Sequence, residues 1–457
     1  MMNIKTIPSL NYFCARRNQL AESIRASSGS GIAIIGTAPE LPRNRDSEFP
    51  YRHDSDFYYL TGFEEPQAFL VIQVLPDKTT HHLFCRPKNL EREIWDGIRL
   101  GPEAATEYLG IDFAYSVEDM DQMMPDLMTG FARIYYKTSS SAQIDKKMRE
   151  WVLQLASKVR QGFKKPTEFF DIEELIHEQR LFKDELEIST MRFAAKIAAQ
   201  GHLKAMQVCQ PGLKEYHLEA ELLYEFRKNG SQSVAYNSIV AAGENACILH
   251  YRAGNASLND GDLCLIDAGC ELDSYASDIT RTFPVNGKFS GPQKQVYEIV
   301  LAAQEAAISE CVIGKNFQDP HNVALKILTQ GLFDLNILDH SIHGSLSEAI
   351  ESGAYKPYYM HRTSHWLGMD VHDVGSYREP HDADNGWRIL RPGMVLTIEP
   401  GLYFRPAPEV PEQYWNIGIR IEDDVLIQTK GPEILSRDVP VGVAEIEHWM
   451  ANGSHPS

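Results

Sequence analysis

Five residues in the C-terminal half, Asp267, Asp278, His365, Glu399 and Glu422, have the types needed to hold two hard divalent cations side by side. They stand in LCLIDAG, SYASDITRTFPV, HRTSHWLGMDVHD, VLTIEPGLY and GIRIEDDVLI. A carboxylate can chelate one ion or bridge two, and a carboxylate-rich set with one imidazole favours manganese-type ions over thiolate-loving ones. Paired cations lower the pKa of a shared water, so the chemistry implied is attack of hydroxide on a clamped carbonyl, which is hydrolysis.

Taken singly, each residue has a plainer role. Strand alternation in GIRIEDDVLI puts Gly418, Arg420 and Glu422 on one face and Ile417, Ile419 and Ile421 on a core face. An Arg and a Glu on one face could be no more than a surface ion pair. The same alternation groups Val395, Thr397 and Glu399, with Glu399 at the strand's end. Asp267 ends a run of four apolar residues, and a carboxylate buried there must be paired, protonated or metal-bound. Asp278 follows eleven residues later, and a turn around residues 271–275 would set the two aspartates together in a hairpin. His361, His365 and His372, with Asp370 and Asp373 among them, tilt the reading from packed histidines towards ligands.

The elements that must carry these groups fall into two parts, as 457 residues predict. Residues 1–174 alternate helix and strand: helices at 12–27, 120–130 and 144–158, strands at 31–36, 68–75 and 81–86. Residues 161–170, with Gly162 and Pro166, read as a joint. Residues 175–457 open on two helical runs, then alternate helices at 218–229, 292–312 and 323–332 with the strands bearing the acidic residues. The tail ANGSHPS is small and polar, the composition of a mobile end.

A formal net charge of -19 argues against nucleic acid as a partner, because phosphate binding needs clustered Lys and Arg. Seven cysteines without a CxxC pair read as core thiols rather than a disulfide framework. The N-terminal segment has no apolar signal core, and nothing approaches the roughly 18 apolar residues of a membrane span. The expected location is the reducing cytoplasm, with no membrane partner.

Together the motifs resemble the proline-directed branch of the pita-bread metallopeptidases, the aminopeptidase P family, related to methionine aminopeptidase, creatinase and prolidase. The resemblance covers nearly the whole chain. It rests on HDSDFYYLTGFEEP, REIWDGIRLG, YNSIVAAGENACILHY, SHWLGMDVHD, IEPGLY and GIRIED. It implies an α/β N-terminal domain and an α+β pita-bread catalytic domain that cleaves Xaa-Pro bonds at the N-terminus of peptides. Asp267 would chelate one of two Mn2+ ions, Asp278 and Glu422 would bridge both, and His365 and Glu399 would bind the second.

By the same resemblance Glu399 shuttles a proton, and His250, His361, His372 and Arg420 surround the scissile carbonyl. His361, Tyr403 and Arg420 form the proline pocket, Trp95 lies over it as a lid, and Arg160 reaches in from the N-terminal domain. A homo-oligomer, dimer or tetramer, is also implied. The sequence departs from the common pattern at Arg362–Thr363, where the family has Gly and an apolar residue. Two other readings stay open: a prolidase restricted to Xaa-Pro dipeptides, and an inactive pita-bread module that binds peptides.

Overall fold

The computed structural model describes residues 10–138, 142–380, 382 and 384–453. The chain divides into two compact units, Met1–Arg180 and Leu181–Ser457. Among the described residues, no helix is long and apolar enough to cross a membrane.

The first unit is built on a six-stranded mixed sheet. Its order is Phe113–Ser116, Thr79–Cys85, Phe69–Val74, Gly31–Gly36, Arg133–Tyr136 and Glu168–Asp171. GIAIIG pairs antiparallel with Phe69–Val74 and parallel with Arg133–Tyr136. An unbroken apolar run suits such a central strand, which is covered on both faces. The helix Leu10–Ser28 buries Phe13, Leu20, Ala21 and Ile24 and stops at Gly29, whose φ of 73° ends the helix without a Cβ penalty. The expected joint is corrected: residues 161–170 hold the end of a 3-10 turn and most of the edge strand Glu168–Asp171.

The second unit opens on the helix Glu185–Val208, started by a reciprocal cap between Asp184 and Glu187. This helix and Gly291–Ser309 pack their apolar stripes against short antiparallel sheets, and Asp319–Asp334 packs on Gly291–Ser309. One sheet joins Ile239–Ala242, Leu263–Asp267 and Thr280–Pro284, and another joins Val395–Ile398, Asp423–Leu426 and Glu433–Ile434. Gly401–Phe404 pairs with Ile417–Arg420. A bridge between Thr280 and Glu422 ties strand ends from distant parts of the sequence.

GIRIEDDVLI is not one continuous strand: Ile421 and Glu422 fall between Ile417–Arg420 and Asp423–Leu426, so its simple two-face alternation fails. Both strands are buried throughout. In the tail, Ala451 and Asn452 complete the helix Val443–Asn452, while residues 454–457 lie outside the described residues.

Candidate metal centre and substrate pocket

Asp267 closes its strand opposite Thr280, and Ala268 donates its N–H to the Ile279 carbonyl at 3.0 Å. The chain then turns through Asp273 and Ser274, both at positive φ, and returns to Asp278. Gly269 permits this close return, since a Cβ there would lie 1.7 Å from the Ser277 carbonyl oxygen. The two aspartates are thus brought together by a hairpin, and the Tyr236 hydroxyl lies between them, 2.5 Å from Asp267 Oδ1 and in contact with Asp278 Oδ1.

Glu422 arrives from the other side. Its N–H donates to the Thr280 carbonyl at 3.1 Å, and Thr280 Oγ1 donates to Glu422 Oε2 at 2.6 Å. His365 sits in a loop stitched to the strand Val395–Ile398: its N–H donates to Thr397 Oγ1 at 3.2 Å, and the Thr397 N–H donates back to its carbonyl at 3.0 Å. The Glu399 N–H donates to the Thr363 carbonyl at 2.8 Å. His365 Nδ1 gives its proton to the Trp366 carbonyl at 2.9 Å, which leaves Nε2 facing Asp278 Oδ2 at 3.4 Å and Glu399 Oε1 at 3.5 Å.

Ligand atoms of Asp278, His365 and Glu422 lie within 4.8 Å of one another, all on buried residues. Desolvation dominates the carboxyls: it raises Asp278 and raises Glu422 well above the usual range, and it carries Glu399 to about 7. Mutual repulsion adds to each shift. Burial would lower His365, yet the hydrogen bond it donates to Asp278 and the charge of Glu399 outweigh it and bring the imidazole to about 9. Protons are therefore drawn to places where cations would neutralise the same charge. This donor set fits two divalent ions.

His250, His361, His372 and Arg420 line one cavity of about 500 Å³ together with all five proposed ligands. His361 Nδ1 donates to the Arg362 carbonyl at 2.7 Å, so its Nε2, 2.8 Å from the Tyr403 hydroxyl, accepts. Burial keeps His361 neutral, at about 3, and His372 likewise at about 4. The His372 ring lies 4.1 Å from that of His365. Arg420 is committed: Nη2 to Asp267 Oδ2 at 2.5 Å, Nη1 to the Tyr403 hydroxyl at 2.9 Å and Nε to Thr280 Oγ1 at 3.2 Å.

Tyr403 is buried behind the cavity wall rather than lining it. Trp95 and Arg160 belong to the first unit, and neither is among the lining residues. Trp95 is 83% exposed on the helix Leu90–Asp96.

Sequence reasoning did not single out Tyr236 or the role of Thr397. A tyrosine three residues before an apolar strand carries no local sign that it will meet two aspartates from another hairpin. Asp424 was missed as well. It is fully buried behind the site, accepts the Asp278 N–H at 3.2 Å, and its Oδ1 has no partner. Burial, with repulsion from Asp278, raises its pKa well above the usual range.

Known proteins resemble this chain along nearly its whole length. The profile of metallopeptidase family M24 matches residues 189–429, and that of the aminopeptidase P N-terminal domain matches residues 13–135. The Xaa-Pro aminopeptidase of Escherichia coli (strain K12) is 44% identical over 440 residues, spanning 96% of this chain and 97% of that one. Xaa-Pro aminopeptidase 3 of Homo sapiens is 33% identical, over 97% of this chain and 86% of that one.

Among solved structures, Pseudomonas aeruginosa aminopeptidase PepP superposes with a TM-score of 0.92 at 47% identity, over 97% of this chain and 98% of that one. A zinc-substituted Escherichia coli aminopeptidase P in complex with product gives 0.92 at 43% identity, over 98% and 99%. The expected α/β N-terminal domain and pita-bread catalytic domain are the fold of this chain. By sequence and by structure, over nearly its whole length, the chain belongs to metallopeptidase family M24, in the group that carries the aminopeptidase P N-terminal domain.

Proposed function

We propose that the chain is a two-metal Xaa-Pro aminopeptidase, releasing the first residue from peptides whose second residue is proline. The observation that carries this is the gathering of four carboxylates and one imidazole on the wall of one cavity. Asp267, Asp278, His365, Glu399 and Glu422 would hold the cations, and the oxygen-rich set favours manganese. When bound, the pair supplies hydroxide near neutral pH and polarises the scissile carbonyl.

The chain's own groups do the rest. Glu399, on the cavity wall, takes the proton of the attacking water and delivers it to the leaving prolyl nitrogen, as a general base and then a general acid. His250 and His372 face the cavity, where a neutral imidazole N–H can donate to the oxygen on which negative charge develops. Proline has no amide N–H and a fixed φ, so its site must read ring shape rather than an extended backbone. His361, braced by Tyr403 and through it by Arg420, supplies a rigid wall for that ring. Trp95 and Arg160, on the first unit, are the candidates for covering the bound peptide.

Seven free thiols agree with a reducing cytoplasm. A homo-oligomer, dimer or tetramer, is part of the proposal, supported by the exposed apolar side chains Leu90, Ile94 and Trp95 on one short helix.

The test is hydrolysis of Ala-Pro-Ala, Ala-Pro and Met-Ala-Ser by manganese-loaded protein beside a chelated control. Cleavage of Ala-Pro-Ala before proline, abolished by chelation, supports the reading. Cleavage of Ala-Pro alone would make the chain a prolidase. Inert metal-bound protein would make it a binding module.

A further inference from the structure

Two arginines on the cavity wall take no part in the chemistry above. Arg362 follows His361, Arg252 follows Tyr251, and both line the cavity with exposed side chains. Arg362 Nη1 donates to Gln318 Oε1 at 2.9 Å, and its guanidinium carbon lies 5.4 Å from the centre of the Trp387 ring. Both partners are neutral. They orient the guanidinium and leave its charge uncompensated.

Among the described residues, neither Arg362 nor Arg252 pairs with a carboxylate. Arg420, the other arginine of the cavity, is spent on Asp267.

Two divalent cations would balance the four carboxylates of the interior. The positive charge then left is that of Arg420, held inside against Asp267 and Tyr403, and that of Arg252 and Arg362 on the exposed wall. An exopeptidase takes in only the amino end of its substrate, and the remainder must run outward past exposed wall residues. Resting on the function proposed above, we propose that Arg252 and Arg362 select peptides carrying a carboxylate beyond the proline. That carboxylate is an acidic side chain or the C-terminus of a short peptide. A planar guanidinium already oriented by neutral contacts is suited to receive it.

The test uses the manganese-loaded full chain and its R362Q, R252Q and R362K variants. kcat/KM is measured at low salt for Ala-Pro-Glu-Ala-amide against Ala-Pro-Gln-Ala-amide, and for Ala-Pro-Ala against its amide. The expected preference for the anionic member of a pair is about three- to tenfold, as two solvent-exposed charge contacts provide. It should fall towards one in R362Q and R252Q, persist in R362K, and shrink in about 0.5 M salt. A preference confined to the first pair assigns the carboxylate to a side chain, and one confined to the second assigns it to the chain end.

Equal rates within both pairs would overturn the proposal, as would a preference that survives in both glutamine variants. Each preference is a ratio within one protein, so a general loss of activity cannot imitate its disappearance. Should R362Q fail to fold, R252Q and the salt dependence still decide. If the wild-type protein cleaves none of the four peptides, the aminopeptidase reading itself fails. If it cleaves them without preference, only the present inference does.

Discussion

The Tyr236 hydroxyl touches two carboxylates but has one proton, so it can donate to only one of Asp267 and Asp278 at a time. Its oxygen is then set against the other carboxylate unless that one is protonated or neutralised by a cation. Tyr236→Phe removes a group that orients two of the proposed ligands without binding metal itself. Such outer contacts are typically worth roughly 10–100-fold in metal affinity or activity. Calorimetric manganese titration of the chelated variant should show that weakening. An unchanged affinity would limit Tyr236 to packing. Glu399→Gln keeps the shape of the side chain but not its basicity, and kcat for Ala-Pro-Ala should fall by roughly 10²–10⁴-fold. Metal content is measured alongside, so that a lost proton carrier is told apart from a lost ion.

At the scale of strands, the site depends on a clamp hidden beneath it. Arg281 is fully buried and donates Nη1 to the carbonyls of Thr280 and Glu422, at 3.0 and 2.6 Å, and Nη2 to Asp423 Oδ1 at 2.8 Å. It thereby joins the strand after Asp278 to the chain segment bearing Glu422. Arg281→Met strands Asp423 with less compensation and should cost about 3–5 kcal/mol, the usual penalty for breaking a buried pair. Urea unfolding measures it. Arg437, 2.8 Å from Asp423 Oδ2, would hold the loss towards the lower end.

Local pattern made much of this scale legible. GIAIIG is a covered central strand, and the turn around residues 271–275 does bring Asp267 and Asp278 together. The bend at Ile421–Glu422 was not legible, because alternation assumes an unbroken strand. Nor was the Thr280–Glu422 bond, which joins residues 142 apart. The donor types were readable because buried carboxylates need a reason to be there. Their supports were not, because a tyrosine or threonine needs none.

Each unit has a large apolar core of its own. Ile34, Val71 and Trp151 lie in one, and Val300, Leu328 and Trp366 lie in the other. Calorimetry of the chelated protein should show two transitions, with added manganese raising only the one that belongs to Leu181–Ser457. A uniform shift of both would contradict this.

The same transition should respond to pH in the absence of metal. His365 is raised from 6.5 to about 9 and Glu399 from 4.5 to about 7, so the folded state holds protons that the unfolded chain releases. Their stabilisation is full below the unfolded pKa values and is lost as pH climbs through the folded ones. Burial holds His202, His321, His361 and His372 neutral, which pulls the other way as pH falls, so the pair is read as a difference: from pH 5 to pH 8 the chelated wild type should lose more stability than chelated Glu399→Gln. With manganese bound the trend should reverse, since cations compete with those protons.

One small bond has a consequence for descent. His361 is oriented by the main-chain carbonyl of residue 362, an atom that every amino acid brings unchanged. Mutation at that codon can therefore swap the side chain on the wall while the histidine beside it keeps its tautomer. Lineages can drift in diet at this position without first losing the reaction.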